Sequence, residues 1–401
     1  SHSLSLSGSS GKTSFYTALN YDNKEDIMKF SPGKRNRYNA TLNLQTDIND
    51  WLTAGIRFDF TRRRMASADP WSNIYQYLWR WGSYFIPSGI YRDSDGTEYD
   101  YRMVAMQKQS NRKEFNHDML KMNVFAKANI TKELTLNVDY TYQTDNFNDK
   151  SSNRSVYGMN WTGTKPTYIV TQSNSDATRS NRKMNRWVAN AYLNYAHTFA
   201  TDHLLNVMVG VNGENFSSDY FGATRTKLYN ESFPELNLAY GDMKDATIDS
   251  NTDDRASAGY FGRLNYSFRD IYLLELNGRY DGSSRFRKGA RWAFFPSFSL
   301  GYRFSEEAYW KKFKSIVSNG KLRFSYGQIG NEAIGNNMFL STLTAYNITQ
   351  AGYTWLNAGG TKLNAFTMPT WVSPSLTWER IQTKNLGLDL GFLDNQFTAT
   401  I

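Results

Sequence analysis

The chain has 401 residues, with 46 Lys+Arg against 37 Asp+Glu for a formal charge of +9, no Cys and only four His. That charge is too thin for the basic stripe of a nucleic-acid-binding domain. The Cys count excludes disulfide staples and Cys-ligated zinc or iron–sulfur centres, and His2, His117, His197 and His203 leave little for a multi-His metal site. No apolar run is long enough for a transmembrane helix, and Ser1 opens in strand-like sequence rather than in a secretory leader.

Taken in chain order, the elements are strands of period two. Ser3–Ser9 and Thr13–Tyr21 form a weak first pair. Tyr38, Ala40, Leu42 and Leu44 then alternate with Asn39, Thr41, Asn43 and Gln45, and Leu52, Ala54, Ile56, Phe58 and Phe60 alternate with Thr53, Gly55, Arg57, Asp59 and Thr61. The pattern recurs over 120–130, 134–142, 187–195, 205–211, 258–268, 272–280, 294–304, 322–326, 386–390 and 397–401. It predicts about fourteen strands and no long helix.

Short and long connections alternate. Short ones fall at 10–12, 45–51, 130–133, 199–203, 268–271 and 392–396. Long ones are expected near 61–118, 143–186, 212–257 and 327–380, with shorter members near 22–36 and 281–291. A longer member of the short set, near 305–320, is expected to hold a helical turn around Glu306, Glu307, Lys311 and Lys312. A sandwich has no reason to gather its long loops at one end. An outer-membrane barrel does, with short periplasmic turns and long extracellular loops.

The alternation also sorts the faces. Arg57, Asp59, Lys121, Lys127, Asp139, Arg263, Glu275, Arg279, Arg303, Arg323 and Asp389 point away from Leu, Phe, Tyr and Val. In a wide barrel these would face a hydrated lumen, while the apolar face meets lipid between girdles drawn from Tyr140, Tyr142, Tyr266, Tyr280, Tyr302 and Tyr326. The expected class is therefore all-β, an antiparallel transmembrane β-barrel occupying residues 1–401. The strand directions and the end at Ile401 within a strand lead us to expect an internal segment of a larger barrel, since open edges in lipid leave backbone groups unpaired.

Four stretches carry a family resemblance. They are Gly259-Tyr260-Phe261-Gly262-Arg263-Leu264-Asn265-Tyr266-Ser267; Tyr280-Asp281-Gly282-Ser283-Ser284-Arg285-Phe286; Arg291-Trp292-Ala293-Phe294-Phe295-Pro296-Ser297 running on to Gly301-Tyr302-Arg303-Phe304-Ser305-Glu306-Glu307; and Leu322-Arg323-Phe324-Ser325-Tyr326-Gly327-Gln328-Ile329-Gly330-Asn331. With Trp378-Glu379-Arg380, Asn385-Leu386-Gly387-Leu388-Asp389 and the opening His2-Ser3-Leu4-Ser5-Leu6-Ser7-Gly8, the chain resembles the SusC/RagA family of TonB-dependent outer-membrane transporters of Bacteroidota. The resemblance implies a barrel of about 22 strands closed by a plug domain. It also implies a SusD-like surface lipoprotein as lid and TonB–ExbB–ExbD energising through an N-terminal region, and it leaves a dimer of transporter–lipoprotein pairs open. The plug and TonB box lie outside this sequence.

Three groups of residues are candidates for a site. Trp71, Tyr75, Trp79, Trp81 and Tyr84 form the most aromatic irregular segment, suited to stacking on sugar rings, to a lipoprotein interface, or to packing of the loop itself. Asp93, Asp95 and Asp100 have the alternating oxygens of a calcium loop, but Val104 stands where an EF-hand needs its bidentate Glu, so an Asp-Gly hairpin tip is the competing reading. Asp281, Arg285, Arg291 and Trp292 read as loop architecture at the barrel rim, with Asp281 pairing Arg285 or Arg291. No nucleophile elbow or phosphate loop occurs, so neither an enzyme nor a cofactor is expected. The function expected is TonB-dependent import of a large nutrient, a glycan in the first instance, across the outer membrane of a Gram-negative bacterium. The alternatives are oligopeptide import of the RagA type, or a non-transporting surface adhesin or carbohydrate-binding β protein whose apolar faces pair across a sandwich.

Overall fold

The computed structural model describes residues 1–25, 33–68, 90–109, 112–160, 164–343, 345–346, 355–356, 362–363 and 365–401. Its main element is one 14-stranded antiparallel sheet in which every strand pairs with its neighbours in sequence order. The strands are β1 (His2–Ser10), β2 (Thr13–Glu25), β3 (Lys34–Asp47), β4 (Leu52–Ala68), β5 (Arg112–Asn129), β6 (Leu134–Asn153), β7 (Asp176–Phe199), β8 (His203–Thr226), β9 (Thr247–Phe268), β10 (Tyr272–Ser283), β11 (Trp292–Tyr302), β12 (Val317–Asn331), β13 (Glu379–Phe392) and β14 (Phe397–Thr400). The short turns are tight. Ala200, Thr201, Arg269, Asp270, Leu393, Asp394 and Asn395 all take positive φ, the left-handed conformation that lets these three- and four-residue connections reverse the chain tightly. The connection from β11 to β12 winds through 3₁₀ turns at Phe304–Glu306 and Ala308–Trp310.

Several strands run further than their alternation. β7 and β8 are each 24 residues long, about 80 Å at ~3.3 Å per residue, against an apolar band of roughly 25 Å. Their outer parts carry Asn, Ser, Thr and Arg on both faces, so no hydrophobic period marks them. The 8-residue helix α1 (Arg102–Gln109) also lies in a stretch read as loop.

Contacts group the chain into two units. In the first (Ser1–Ala126, Tyr140–Trp187, Phe216–Asp253), register stacks the apolar side chains on one face. Leu19 pairs Ala40 and Ala40 pairs Phe60; Leu42 pairs Phe58; Leu44 pairs both Phe15 and Ile56. The opposite face pairs Thr41 with Asp59 and Asn43 with Arg57. In the second unit (Lys127–Asp139, Val188–Asn215, Asp254–Ile401), Leu264 pairs Leu276, Leu276 pairs Phe298, and Phe298 pairs Tyr326, while Arg263 pairs Asn277 on the other side.

The strand apolar side chains are not a buried core. Leu276 is 43% exposed and Leu300 47%. Fully buried apolar side chains sit instead at the long-connection end, in small clusters such as Ala105 with Met106 and Val156, and Ala177 with Leu228 and Ala239. The other sheets among the described residues are two-stranded hairpins, and none of them lies as a second layer over the apolar face of the long sheet. Aromatic rings edge the bare face instead. Phe268, Tyr272 and Tyr302 stack in series at the short-connection end, and Tyr260, Tyr280 and Trp292 stack at the other.

Candidate functional site

The polar face is the surface that can meet a ligand, and period-two alternation builds it. In the second unit, Arg279 and Asp281 share that face two positions apart. The guanidinium donates to both carboxylate oxygens, Nε to Oδ2 at 3.0 Å and Nη2 to Oδ1 at 2.8 Å, and reaches Asn212 Oδ1 at 3.3 Å. Arg263 Nε donates to Asn277 Oδ1 at 2.8 Å, and Asn277 Nδ2 donates to Glu275 Oε1 at 2.7 Å. Across β12 and β13, Arg323 grips Asp389 with two contacts of 2.6 and 2.8 Å. Phe261, Arg263, Asn277, Arg279, Asp281 and Ser297 line a cavity of about 540 Å³.

The first unit repeats the chemistry. Thr41 donates to Asp59 at 3.0 Å and Asn123 to Thr141 at 2.9 Å. His117 Nε2 lies 2.7 Å from Asp145 Oδ1, Gln143 donates to Asp145 Oδ2 at 2.7 Å, and the Phe147 ring stacks on the imidazole at 4.1 Å. Asp149, further out along β6, has its pKa raised because burial disfavours the carboxylate more than Arg182 and its other neighbours favour it.

One device recurs that sequence reading missed. Arg57 lies 4.5 Å over the Phe125 ring, and that ring lies over Gly55, where an added Cβ would come within 2.5 Å of it. Arg279 lies 5.5 Å over Phe261, which covers Gly210 at the same 2.5 Å. The ring shields the bare glycine backbone of the next strand and offers its π face to the guanidinium. A Phe at a polar-face position opposite a Gly is the signal that could have found it.

The candidate residues fall as follows. Asp281 pairs with Arg279 on its own strand, not with Arg285 or Arg291. Arg285 donates instead to the Glu332 carbonyl at 2.7 Å and to Asn336 at 3.0 Å; Arg291 donates to the Phe286 carbonyl at 3.1 Å. Trp292 is on the apolar face, stacked between Tyr260 and Tyr280. Phe286 is fully buried and packs on Trp378, whose Nε1 donates to the Arg291 carbonyl at 2.7 Å. The 284–291 loop thereby holds both roots of the β12–β13 connection.

The calcium reading of Asp93, Asp95 and Asp100 is not supported. Asp93 Oδ1 accepts from the Asp95 and Thr97 amides, Asp95 Oδ1 accepts from Thr97, and Gly96 takes φ +86°, which makes a hairpin tip. Asp100 turns to Lys108 at 2.7 Å. Among the described residues, no three His, Asp or Glu side chains gather to hold a metal ion. Trp71, Tyr75, Trp79, Trp81 and Tyr84 lie outside the described residues.

A sheet bare and aromatic-edged on one face and charged on the other agrees with what comparison returns. Residues 66–401 match the model of the family described as TonB dependent receptor-like, beta-barrel. The chain belongs to this family. It is 26% identical over 429 residues to the TonB-dependent receptor SusC of Bacteroides thetaiotaomicron, covering 100% of this chain and 40% of that protein. A TonB-dependent receptor of Formosa agariphila is 24% identical over 410 residues, 99% of this chain and 38% of its own length. In fold, the chain matches the RagAB peptide importer in its open-open state with a TM-score of 0.76 at 21% identity, over 99% of this chain and 42% of that one. The chain thus spans about two-fifths of the length of the curated relatives it matches. It is a TonB-dependent-receptor β-barrel chain of the Gram-negative outer membrane, similar to SusC in sequence and to RagAB in fold.

Proposed function

We propose that the chain forms part of the wall of a TonB-dependent importer that carries a large polar nutrient across the outer membrane. The observation that carries this reading is the two-faced sheet: an exposed apolar face edged by aromatic rings at both ends, backed by a face of Arg, Asp and Asn side chains already paired with each other. Paired charges keep a lumen wet without fixing an ion, so an uncharged or mixed-charge ligand slides past with little desolvation cost. The long connections face the outside, where a SusD-like lipoprotein lids the barrel. The substrate in this reading is a glycan, as the family resemblance implies. Oligopeptides are the second reading, supported by the fold match to the RagAB peptide importer. Uptake of labelled oligosaccharides and oligopeptides by cells with and without the full-length gene, each with and without an uncoupler, tests both. Gene-dependent, uncoupler-sensitive glycan uptake is expected. The same behaviour for peptides alone transfers the assignment to the second reading, and uptake indifferent to the gene overturns import altogether.

A further inference from the structure

On the apolar face of β1–β4, a groove of about 380 Å³ runs between Leu4, Leu19, Tyr38, Ala40 and Phe60. Ala40 makes it: the small side chain is paired with Leu19 on one side and Phe60 on the other, so the surface dips between two bulky walls. Leu4 and Leu19 are 70% and 57% exposed, and no other part of the described chain covers them. The groove is almost wholly apolar and ends under the Tyr21–Tyr38 ring pair, whose centroids are 5.0 Å apart.

Directly beyond those rings, on the same face, the chemistry changes. Tyr38 pairs Arg62 in the register, and Asn36 pairs Arg64. Arg62 lies 5.7 Å over the Phe60 ring that forms the groove wall. Both guanidinium groups converge on a single carboxylate: Arg62 Nε on Asp118 Oδ1 at 3.1 Å and Arg64 Nη1 on the same oxygen at 3.3 Å. Two cations sharing one anion leave a surplus positive charge, and both Arg side chains stay well exposed, at 48% and 38%. A lipid-facing Arg costs ~2–4 kcal/mol at mid-bilayer and ~0–1 near the interface, so this pair marks the level of the headgroups.

We infer that this is a lipid site: an acyl chain lies in the Leu4–Leu19–Ala40–Phe60 groove while a phosphate completes the Arg62–Arg64 pair. An apolar trough ending at two guanidinium planes matches an amphiphile with an anionic, bidentate-accepting head. Because the groove ends toward the long connections, placed outside in the reading above, the occupant is the phosphorylated saccharolipid of the outer leaflet, lipid A.

The full-length protein, purified in mild detergent and stripped of lipid, would be titrated by native mass spectrometry with lipid A, enzymatically dephosphorylated lipid A and phosphatidylglycerol. Lipid A is expected to bind about tenfold or more tightly than its dephosphorylated form and more tightly than phosphatidylglycerol. The Arg62→Gln/Arg64→Gln protein should lose the preference for phosphate, and Ala40→Phe, which leaves both Arg in place, should weaken all three lipids together. Equal binding of phosphorylated and dephosphorylated lipid A overturns the site, as does a phosphate preference surviving in Arg62→Gln/Arg64→Gln. Phosphatidylglycerol binding as tightly as lipid A overturns the choice of leaflet. A protein that stays monodisperse without detergent would overturn the membrane reading itself, a failure distinct from that of the site.

Discussion

At Gly210 an added Cβ would stand 2.5 Å from the Phe261 ring and 2.6 Å from Tyr192 Cβ. Neither neighbour can retreat cheaply, because Phe261 is sandwiched between the glycine backbone and the Arg279 guanidinium. Gly210→Ala is expected to destabilise the barrel by roughly 1–3 kcal/mol, the usual cost of overpacking, read as a lower urea midpoint for loss of heat-modifiable migration in gels. Adding Gly210→Ala to Phe261→Ala should cost much less than adding it to the parent, and equal costs would remove Phe261 from the explanation. A second residue-level test uses pH. Lys314 donates to Glu306 at 2.9 Å and, with Ser305, holds that carboxyl below its ordinary pKa. A lowered folded pKa means stability present above the unfolded carboxylate pKa and lost as pH falls through the folded one. Glu306→Gln should therefore lower the Tm at pH 7 by a small amount, in keeping with an ion pair worth up to about 1 kcal/mol, and the gap should close as the pH falls below the lowered pKa of the folded carboxyl. A gap that persists there would mean the side chain acts by packing.

Among the elements, the 284–291 loop does the most for its size. Phe286 is buried, Arg285 holds Glu332 and Asn336, and Thr377 and Trp378 donate to the carbonyls of Ala290 and Arg291. Trp378→Ala removes a ring packed on both Phe286 and Phe295. It should speed limited proteolysis within 337–377 by about tenfold while the strands stay folded, since the loss falls on one local contact cluster. Unchanged cleavage would detach this loop from the connection it is inferred to hold. The alternation at 258–268 and 272–280 made the strands here legible, but Asp281 and Gly282, read as part of the loop, stay in the β10 ladder opposite Ala293 and Trp292. The clamp was not legible, because Arg285 and Arg291 bond to backbone carbonyls of Glu332 and Phe286, and a carbonyl carries no residue identity. The same holds for the outer halves of β7 and β8. Their outer segments carry no hydrophobic period, so pairing to the neighbouring strand, not an alternating apolar face, keeps them extended. For the polar face, Arg279 and Asp281 could be assigned a side from alternation but not a partner, because Arg279, Arg285 and Arg291 all lie within reach in sequence.

For the whole molecule, the issue is which face meets lipid. Between Tyr272 at one girdle and Tyr280 at the other, β10 covers roughly 27 Å of its length at about 3.4 Å per residue, or about 21 Å of height at a tilt of ~40°, which sets both rings near the edges of the ~25 Å apolar band of an outer-membrane barrel. Leu276 lies midway on the bare face, paired with Leu264 and Phe298, while the next residue, Asn277, lies on the charged face beside Arg263 and Glu275. Two neighbouring positions therefore sample opposite solvents at the same depth. Leu276→Arg puts a guanidinium at the middle of the hydrocarbon and should cost ~2–4 kcal/mol. Asn277→Arg puts the same charge in a hydrated lumen between Glu275, which attracts it, and Arg263, which repels it, where it should cost only about 1 kcal/mol. Reversible unfolding of the full-length protein in lipid vesicles would compare the two. A wide gap in that order is what a lipid-facing Leu276 requires, and equal penalties, or the reverse order, would mean that the exposed apolar face is covered by protein instead of membrane.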